Sequence, residues 1–166
     1  SNSSNKIGHV AIIMDGNSRW ARKRNLKTIE GHKQGVNRLR DIVKYSAKSE
    51  ITHLSVFAFS TENWKRSASD VSDLMKLFLQ SIIKEVPELI ENKVQLNFIG
   101  DIPRFSKSLV SQINSAMKDT QAKKPNLNLN VAISYGGRWD ILNAIKRIKA
   151  VSYTHLTLPT TLQGEV

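Results

Sequence analysis

The sequence predicts an α/β fold in which helices flank a mainly parallel central sheet. Four short segments, apolar or alternating, are typical of β-strands, and longer segments with helical spacing of apolar residues separate them. Strands that alternate with helices of this length favour parallel pairing. At 166 residues the chain has the length of one domain with a real hydrophobic core.

The composition excludes several classes of protein. No apolar stretch approaches the ~20 residues that a membrane-spanning helix needs. The chain contains no cysteine, which excludes disulfides, thiolate metal sites and cysteine nucleophiles and fits a cytosolic setting. Lys and Arg total 25 against 14 Asp and Glu, a formal net charge of +11. This excess favours an anionic partner such as phosphate, nucleic acid or an acidic membrane surface, or it reflects only solvated helix faces.

The first strand and the first long helix follow from apolar spacing. Val10 to Met14 is an apolar run ended by a glycine-containing turn, which predicts a strand buried on both faces. Residues 17–31 have no clear pattern. Apolar residues then recur at helical spacing and predict an amphipathic helix from about 32 to 49.

The middle of the chain predicts a strand, a loop and a long helix. Residues 53–60, HLSVFAFS, suit a second buried strand, and the polar residues that follow suit a loop. We expect a helix from about 70 to 92, kinked near Pro87. Its apolar residues, Leu74 and Phe78 among them, cover more than one face. They would pack against neighbouring helices or a dimer partner, or would form the wall of an apolar channel.

The last third of the predicted domain contains two strands and two helices. Residues 94–100, VQLNFIG, form a third predicted strand. Asp101 and Pro103 indicate the start of a helix that continues to about Gln121. Residues 127–134, LNLNVAIS, alternate like a strand, and the following YGGRW opens the last helix.

Three polar clusters directly follow predicted strands, at residues 15–20, 60–66 and 134–139. Each contains at least one arginine. In open α/β sheets the ligand crevice lies at the carboxyl ends of the strands, so these clusters are expected to converge on a phosphorylated ligand.

The first cluster, DGNSRW, is the most informative. Gly16 allows a tight turn, the N–H groups after it can face an anion, and Arg19 can add a two-pronged charged contact. Asp15 beside a diphosphate is best explained as a Mg²⁺ ligand, because a carboxylate would otherwise repel the phosphates. The alternative is an ordinary strand-to-helix turn with Asp15 as the helix cap.

Three further residues are candidates for the same site. Asn63 and Arg66 could reach it as an amide contact and a phosphate clamp, or they belong to a solvated loop. His32, at the predicted helix start, could meet an anion through its ring N–H or have a structural role.

With these clusters identified, the sequence resembles the cis-prenyltransferases, specifically the undecaprenyl diphosphate synthase (isoprenyl transferase) family. The similar segments occur in family order and at family spacing from about Lys6 to about Lys149: HVAIIMDGNSRWARKR, GHKQG, SVFAFSTENWKRS, VSDLMKLF, FIGD and NVAISYGGRWDI. The resemblance implies Mg²⁺-dependent condensation of isopentenyl diphosphate onto an allylic diphosphate such as farnesyl diphosphate. The product would be a long cis-polyprenyl diphosphate such as undecaprenyl diphosphate, the precursor of the cell-wall carrier lipid.

The resemblance also implies roles for individual residues. Asp15 would hold Mg²⁺ and assist departure of the diphosphate, and Asn63 would orient the reacting groups or relay a proton. The residues that would bind the allylic diphosphate are Gly16, Asn17, Ser18, Arg19, Trp20, His32 and Arg66. The residues that would line the tunnel for the growing chain are Ala58, Leu74, Phe78 and Leu127.

The sequence departs from the family pattern in three places, of which Ser18, where glycine or arginine is common, is a mild one. Thr28 stands where the family usually has an arginine, with Lys27 beside it as a substitute point charge. The family's later segment, which resembles RTSGExRxSN and binds isopentenyl diphosphate, is absent. We therefore expect a leader or remnant at residues 1–6, an incomplete cis-prenyltransferase domain at 7–150 and an unrelated tail at 151–166.

Two other functions remain open at this stage. One is a truncated or non-catalytic relative that binds allylic diphosphate without turnover. The other is a nucleic-acid-binding module, suggested by RWARKRNLK and the net charge but lacking a base-reading motif, so no nucleic-acid partner is expected. The family resemblance further implies a homodimer in the complete enzyme and a cytoplasmic protein, with peripheral contact at the inner membrane face as an option for product release.

Overall fold

A computed structural model of the chain describes residues 7–61 and 68–155. The structure forms two compact units, of which the first ends at Tyr135 and the second begins at Gly136. The first contains the sheet and most helices, in the order β1 His9–Ile13, α1 Asn17–Arg22, α2 Thr28–Ala47, β2 His53–Ser60, α3 Ala68–Lys84, α4 Val86–Glu91, β3 Val94–Ile99, a 3₁₀ turn Ile102–Arg104, α5 Lys107–Asp119 and β4 Leu127–Tyr135. The second contains α6, Gly137–His155, whose Asp140 N–H donates to Gly136 O.

The described strands form one fully parallel sheet in the order β1-β2-β4-β3. The predicted α/β class with a mainly parallel sheet is therefore confirmed. The core is a layer of apolar side chains on one face of the sheet, covered by helices, and its largest fully buried members are Leu54, Val56, Phe59, Leu79, Val94, Leu96, Ile113, Leu127, Val131 and Ile133.

The prediction that the first strand is buried on both faces is wrong. β1 lies at the edge of the sheet and pairs with β2 alone among the described strands. Each of its five residues is at least partly exposed, and the side chain of Ile13 is 74% exposed. An apolar run identifies a strand but does not say how many neighbours the strand has, so an edge strand can have a central strand's sequence.

The predicted long helix at 70–92 is two helices. α3 ends at Lys84, and α4 begins at Val86 with Pro87 in its first turn. Proline has no N–H to donate and clashes with the carbonyl four residues earlier, so the chain breaks there instead of kinking. The described apolar residues of α3 bury mainly one stripe, at the helical spacing of Val71, Met75, Phe78, Leu79 and Ile82. For these residues, core packing accounts for the apolar character.

The helix predicted to begin near Asp101 begins later. A 3₁₀ turn occupies Ile102–Arg104, and α5 starts at Lys107 after Ser106, whose hydroxyl accepts a hydrogen bond from the Leu109 N–H at 3.4 Å. Ser106 is a strong N-cap residue, and Asp101 makes no side-chain cap bond. Among the described residues, no helix has both the length and the apolar character needed to cross a membrane.

Two ion pairs join α2 to the corner between α3 and α4. Arg40 Nη2 lies 2.6 Å from Glu85 Oε1, and Lys44 Nζ lies 2.8 Å from Glu88 Oε1. The hydrogen bond from Lys44 lowers the pKa of the Glu88 carboxyl, and the same bond raises the pKa of Lys44. Beneath these pairs lies a small apolar cavity of about 50 Å³, lined in part by Val36, Leu39 and Val43 of α2 and Leu129 of β4.

Candidate active site at the carboxyl ends of β1 and β2

The turn after β1 positions the candidate residues. Met14 N–H continues the sheet by donating to Phe57 O at 3.1 Å, and Asp15 N–H turns back to Ile13 O at 3.0 Å. Gly16 then has φ of +90°, in the left-handed region that glycine adopts without strain, and caps α1. The sequence therefore leaves the sheet sharply and begins a short helix beside the strand end.

The Asp15 carboxylate lies at the mouth of this turn. Its Oδ1 accepts from the Gly16 N–H at 2.6 Å, and its Oδ2 accepts from Arg19 Nη2 at 2.9 Å. The Asp15 and Arg19 side chains are 76% and 66% exposed. The alternative in which Asp15 is the helix cap is wrong, because the cap residue is Gly16. Asp15 and Arg19 instead form an ion pair that faces solvent.

A cleft of about 400 Å³ opens beside this ion pair. It lies between the start of α1 and the carboxyl end of β2, where the register of β2 against β4 shifts around Phe59. The predicted residues that line it are Asp15, Gly16, Asn17, Ser18, Arg19, His32 and Ala58. Arg22, Phe57 and Ser60 complete the described lining together with Ile13 and Met14. Two arginines and a histidine thus line one cleft with a single carboxylate, which suits an anionic ligand.

A second cleft of about 380 Å³ lies between the same turn and α2. Trp20 lines this cleft and not the one that contains Arg19. The guanidinium carbon of Arg24 lies 4.3 Å from the centre of the Trp20 ring, at cation–π distance. Asn17, Asp15 and Gly16 line both clefts, so the DGN turn is the wall between them.

The two glycines of the GHKQG segment lie in α2 where α1 approaches closely. A Cβ on Gly31 would lie 2.8 Å from the Asn17 carbonyl carbon and 3.1 Å from Ala21 Cβ. A Cβ on Gly35 would lie 2.7 Å from the Asn17 side-chain oxygen. Because these glycines are one helical turn apart, they present one bare face of α2 to α1. The sequence interpretation gave this pair no structural role.

The other predicted site residues lie outside the described part of the chain or in the packed core. Asn63 and Arg66 lie outside the described residues, as does the side chain of Leu74. Phe78 is 5% exposed and Leu127 is fully buried, and both belong to the packed core. Tyr135 lies edge-on to Phe57 with ring centres 6.0 Å apart, so the end of β4 approaches the Arg19 cleft.

Sequence reasoning missed Arg22. It lies three residues after Arg19, on the same face of α1, and lines the same cleft. The spacing of the arginines in RWAR is visible in the sequence, but residues 17–31 have no clear apolar pattern, so the sequence does not predict that the two arginines share a helix face.

The described residues could hold a Mg²⁺ ion only together with ligands from the substrate and water. Among them, no group of three or more His, Cys, Asp or Glu side chains could hold a metal. Mg²⁺ commonly binds through one or two carboxylates, with substrate phosphates and water as the remaining ligands. The exposed carboxylate of Asp15 beside a cationic cleft fits that arrangement and does not form an all-protein cage.

The chain is similar to one family of proteins throughout most of its length. Residues 13–164 match the model of the family described as "Putative undecaprenyl diphosphate synthase". An isoprenyl transferase of Neisseria gonorrhoeae is 46% identical over 152 residues, which are 92% of this chain and 61% of that protein. A ditrans,polycis-undecaprenyl-diphosphate synthase of Photorhabdus laumondii, named as (2E,6E)-farnesyl-diphosphate specific, is 46% identical over 84% of this chain and 55% of its own.

Solved structures give the same result. Lavandulyl diphosphate synthase from Lavandula x intermedia, in complex with dimethylallyl diphosphate, superposes with a TM-score of 0.83 and 34% identity, over 92% of this chain and 65% of that one. A probable undecaprenyl diphosphate synthase from Campylobacter jejuni gives 0.72 and 30%, over 90% and 64%. The chain thus spans about 55–65% of the length of these relatives. The parallel sheet, with the DGN turn at the end of β1, agrees with these matches. Together they establish that the chain belongs to the undecaprenyl diphosphate synthase family of prenyltransferases.

Proposed function

We propose that this chain provides the allylic-diphosphate site of a cis-prenyltransferase. The reaction is condensation of isopentenyl diphosphate onto an allylic diphosphate such as farnesyl diphosphate, repeated to give a long polyprenyl diphosphate. The observation that supports it best is the exposed Asp15–Arg19 ion pair at a cleft that also contains Arg22 and His32. Family membership and the names of the relatives support the substrate class.

The residues of the cleft suit the departure of a diphosphate. The leaving group gains negative charge as its bond to carbon breaks, and guanidinium groups stabilise that charge best when they are already in position. Arg19 and Arg22 lie on one face of α1, so both can face a single diphosphate. Asp15 would hold Mg²⁺, which when bound neutralises diphosphate charge. Asn63 and Arg66 are proposed to complete the site from the segment after β2.

The apolar product would extend away from this cleft. Ala58 lines the cleft beside Phe57, whereas Phe78 and Leu127 lie deeper in the core on the same proposed path. Because Phe78 and Leu127 are buried, a growing chain could pass them only if the core around them opened. The tunnel assignment of Ala58, Leu74, Phe78 and Leu127 therefore remains a prediction about the complete enzyme with substrate.

A second candidate function is binding of allylic diphosphate without turnover. The observation in its favour is that the described residues contain the cationic cleft but no group of three or more His, Cys, Asp or Glu side chains that could hold a metal. The two candidates share the binding site and differ only in chemistry, so binding and turnover must be measured separately.

The test has two arms. Calorimetry with farnesyl thiodiphosphate, a poorly reactive analogue, measures binding, and incorporation of labelled isopentenyl diphosphate with farnesyl diphosphate and Mg²⁺ measures turnover. Asp15→Ala should lower turnover by about 10²-fold, whereas Arg19→Ala should weaken analogue binding by about tenfold or more. Lys76→Ala, a matched loss of charge at an exposed position of α3, should change neither.

Each outcome has a definite meaning. Binding together with polyprenyl product supports the cis-prenyltransferase proposal. Binding with no product supports the non-catalytic candidate. Absence of analogue binding in folded protein, or an equal effect of Lys76→Ala and Arg19→Ala, contradicts both.

We also propose a homodimer in the complete enzyme, a cytoplasmic location and peripheral contact with the membrane face. Light scattering on the complete enzyme tests the dimer. Flotation with anionic vesicles tests membrane contact, which the net charge of +11 favours.

A further inference from the structure

We propose that His9 and His53 form a binding site for a divalent transition-metal ion of the zinc class. These residues begin β1 and β2, at the amino ends of the strands. The candidate active site lies at the carboxyl ends of the same strands. The metal site is therefore separate from Asp15 and independent of the proposed prenyl transfer.

The sheet register places the two imidazoles side by side. His9 is the direct partner of His53 in the parallel pair of β1 and β2, so both side chains project from the same face. Their ring centres are 5.8 Å apart, with 57° between the ring planes. With a zinc–nitrogen distance of about 2.1 Å, the metal lies about 3.2 Å from each ring centre. The centres of two rings bridged by the ion then lie about 4.5 Å apart when the nitrogen–metal–nitrogen angle is a right angle and about 6.4 Å apart when it is straight. The observed separation is inside that range.

The hydrogen bond of His53 uses Nδ1 and leaves Nε2 for a metal. Thr52 Oγ1 donates its only hydrogen to Gly8 O at 2.9 Å. With its hydrogen on Gly8 O, Thr52 Oγ1 can accept the 2.9 Å contact from His53 Nδ1, which corresponds to the tautomer with the ring proton on Nδ1. The lone pair of a neutral His53 is then on Nε2, where it can bind a metal.

His9 has a similar outer partner. Its Nε2 lies 2.8 Å from Ser55 Oγ, which also accepts from Asn130 Nδ2 at 3.4 Å. A metal on His9 Nδ1 would place the ring proton on Nε2, and Ser55 Oγ can accept it by rotation of its hydroxyl hydrogen. Such outer hydrogen bonds orient histidine ligands and raise their basicity. Each ring thus has one nitrogen bound to a hydroxyl and the other available to the ion.

The surroundings define which ion binds. Both histidines are exposed, so water can complete the coordination. Imidazole prefers Zn²⁺, Ni²⁺ and Cu²⁺, whereas Mg²⁺ prefers oxygen ligands. With two protein ligands the affinity should be moderate. A bridging ion would also tie the edge strand β1 to β2 and should raise the melting temperature.

The first test is calorimetric titration of Zn²⁺ into untagged, chelator-treated chain. We expect one ion per chain, and His9→Gln and His53→Gln should each weaken binding at least tenfold. His155→Gln is the matched control and should leave the affinity unchanged. Excess Mg²⁺ should not compete. Thr52→Val, which keeps both ligands but removes the partner of His53 Nδ1, should weaken binding to a smaller extent.

The second test does not depend on variants that fold. Long-range ¹H–¹⁵N spectra of the unaltered chain should give a protonated Nδ1 on His53, and Zn²⁺ should shift the resonances of His9 Nδ1 and His53 Nε2 together. Zinc shifts confined to other histidines would overturn the proposal. So would zinc affinity that both His9→Gln and His53→Gln leave intact, or no binding at millimolar Zn²⁺.

Discussion

Replacement of Gly31 by alanine should destabilise the protein through α1, although alanine is the better helix former. In an exposed helix interior, Gly→Ala gains about 1 kcal/mol of stability. Here the new Cβ would lie 2.8 Å from the Asn17 carbonyl carbon and 3.1 Å from Ala21 Cβ. Both neighbours belong to the α1 segment, so relief requires the whole helix to move. Overpacking of this kind costs about 1–3 kcal/mol. Because the nearest atoms are backbone atoms of Asn17, the cost should lie in the upper half of that range, about 2–3 kcal/mol, so the net loss should be about 1–2 kcal/mol.

Gly35→Ala is the matched control, since it is the same substitution one turn along α2. Its Cβ would meet the oxygen and nitrogen of the Asn17 side-chain amide at 2.7 and 2.8 Å. A terminal amide can rotate away, so the cost should be small and the helix gain should bring the net change within about 0.5 kcal/mol. Gly35→Ala should nonetheless displace the Asn17 amide from its position between the two clefts.

Equilibrium urea unfolding of both variants measures the difference, and unchanged m-values show that the unfolded state is not the cause. Calorimetry with farnesyl thiodiphosphate measures the effect on the site. The packing argument is refuted if Gly31→Ala is as stable as the unaltered protein, or if the two substitutions cost the same.

Three smaller changes test other parts of the structure. Gly16→Ala should cost about 1–2 kcal/mol in urea unfolding, because its φ of +90° is strained for alanine, while the nearest atom to a new Cβ is 3.8 Å away. Ser106→Ala should cost about 0.5–1 kcal/mol by loss of the α5 cap, and Ser106→Asp should recover it. Glu88→Gln should flatten the acid limb of the curve of unfolding free energy against pH. Because the pKa of Glu88 is lowered in the folded state, the ion pair stabilises the fold fully above pH 4.5, the ordinary pKa of the group. This stabilisation is lost as the pH falls through the folded-state pKa. An unchanged acid limb would contradict that assignment.

The strands were predictable because their residues alternate or are apolar over the whole segment. β2 occupies the predicted residues 53–60, and β4 extends the predicted segment by one residue, to Tyr135. The position of β1 at the edge was not predictable, since neighbours in a sheet depend on contacts distant in sequence. The sequence predicts a kink near Pro87 but does not decide between one kinked helix and two separate helices.

The sequence predicts which residue types form the candidate site but not how the helices position them. The sequence indicated Asp15 and Arg19 as one cluster and His32 as a separate candidate, and all three line the same cleft. It did not indicate that Trp20 lies in a separate cleft, since the side of a short helix on which a residue lies requires the helix bounds. Asn63 and Arg66 stay predictions.

The geometry of the proposed diphosphate site depends on helix packing more than on the sheet. α1 bears Arg19 and Arg22 and packs chiefly against α2, whereas the sheet holds only the turn that precedes it. A helix of six residues has too few hydrogen bonds to be stable alone. Its orientation therefore depends on packing against α2, where the bare face at Gly31 and Gly35 allows the close approach. A residue that never contacts the ligand can thus decide whether two arginines reach the same diphosphate.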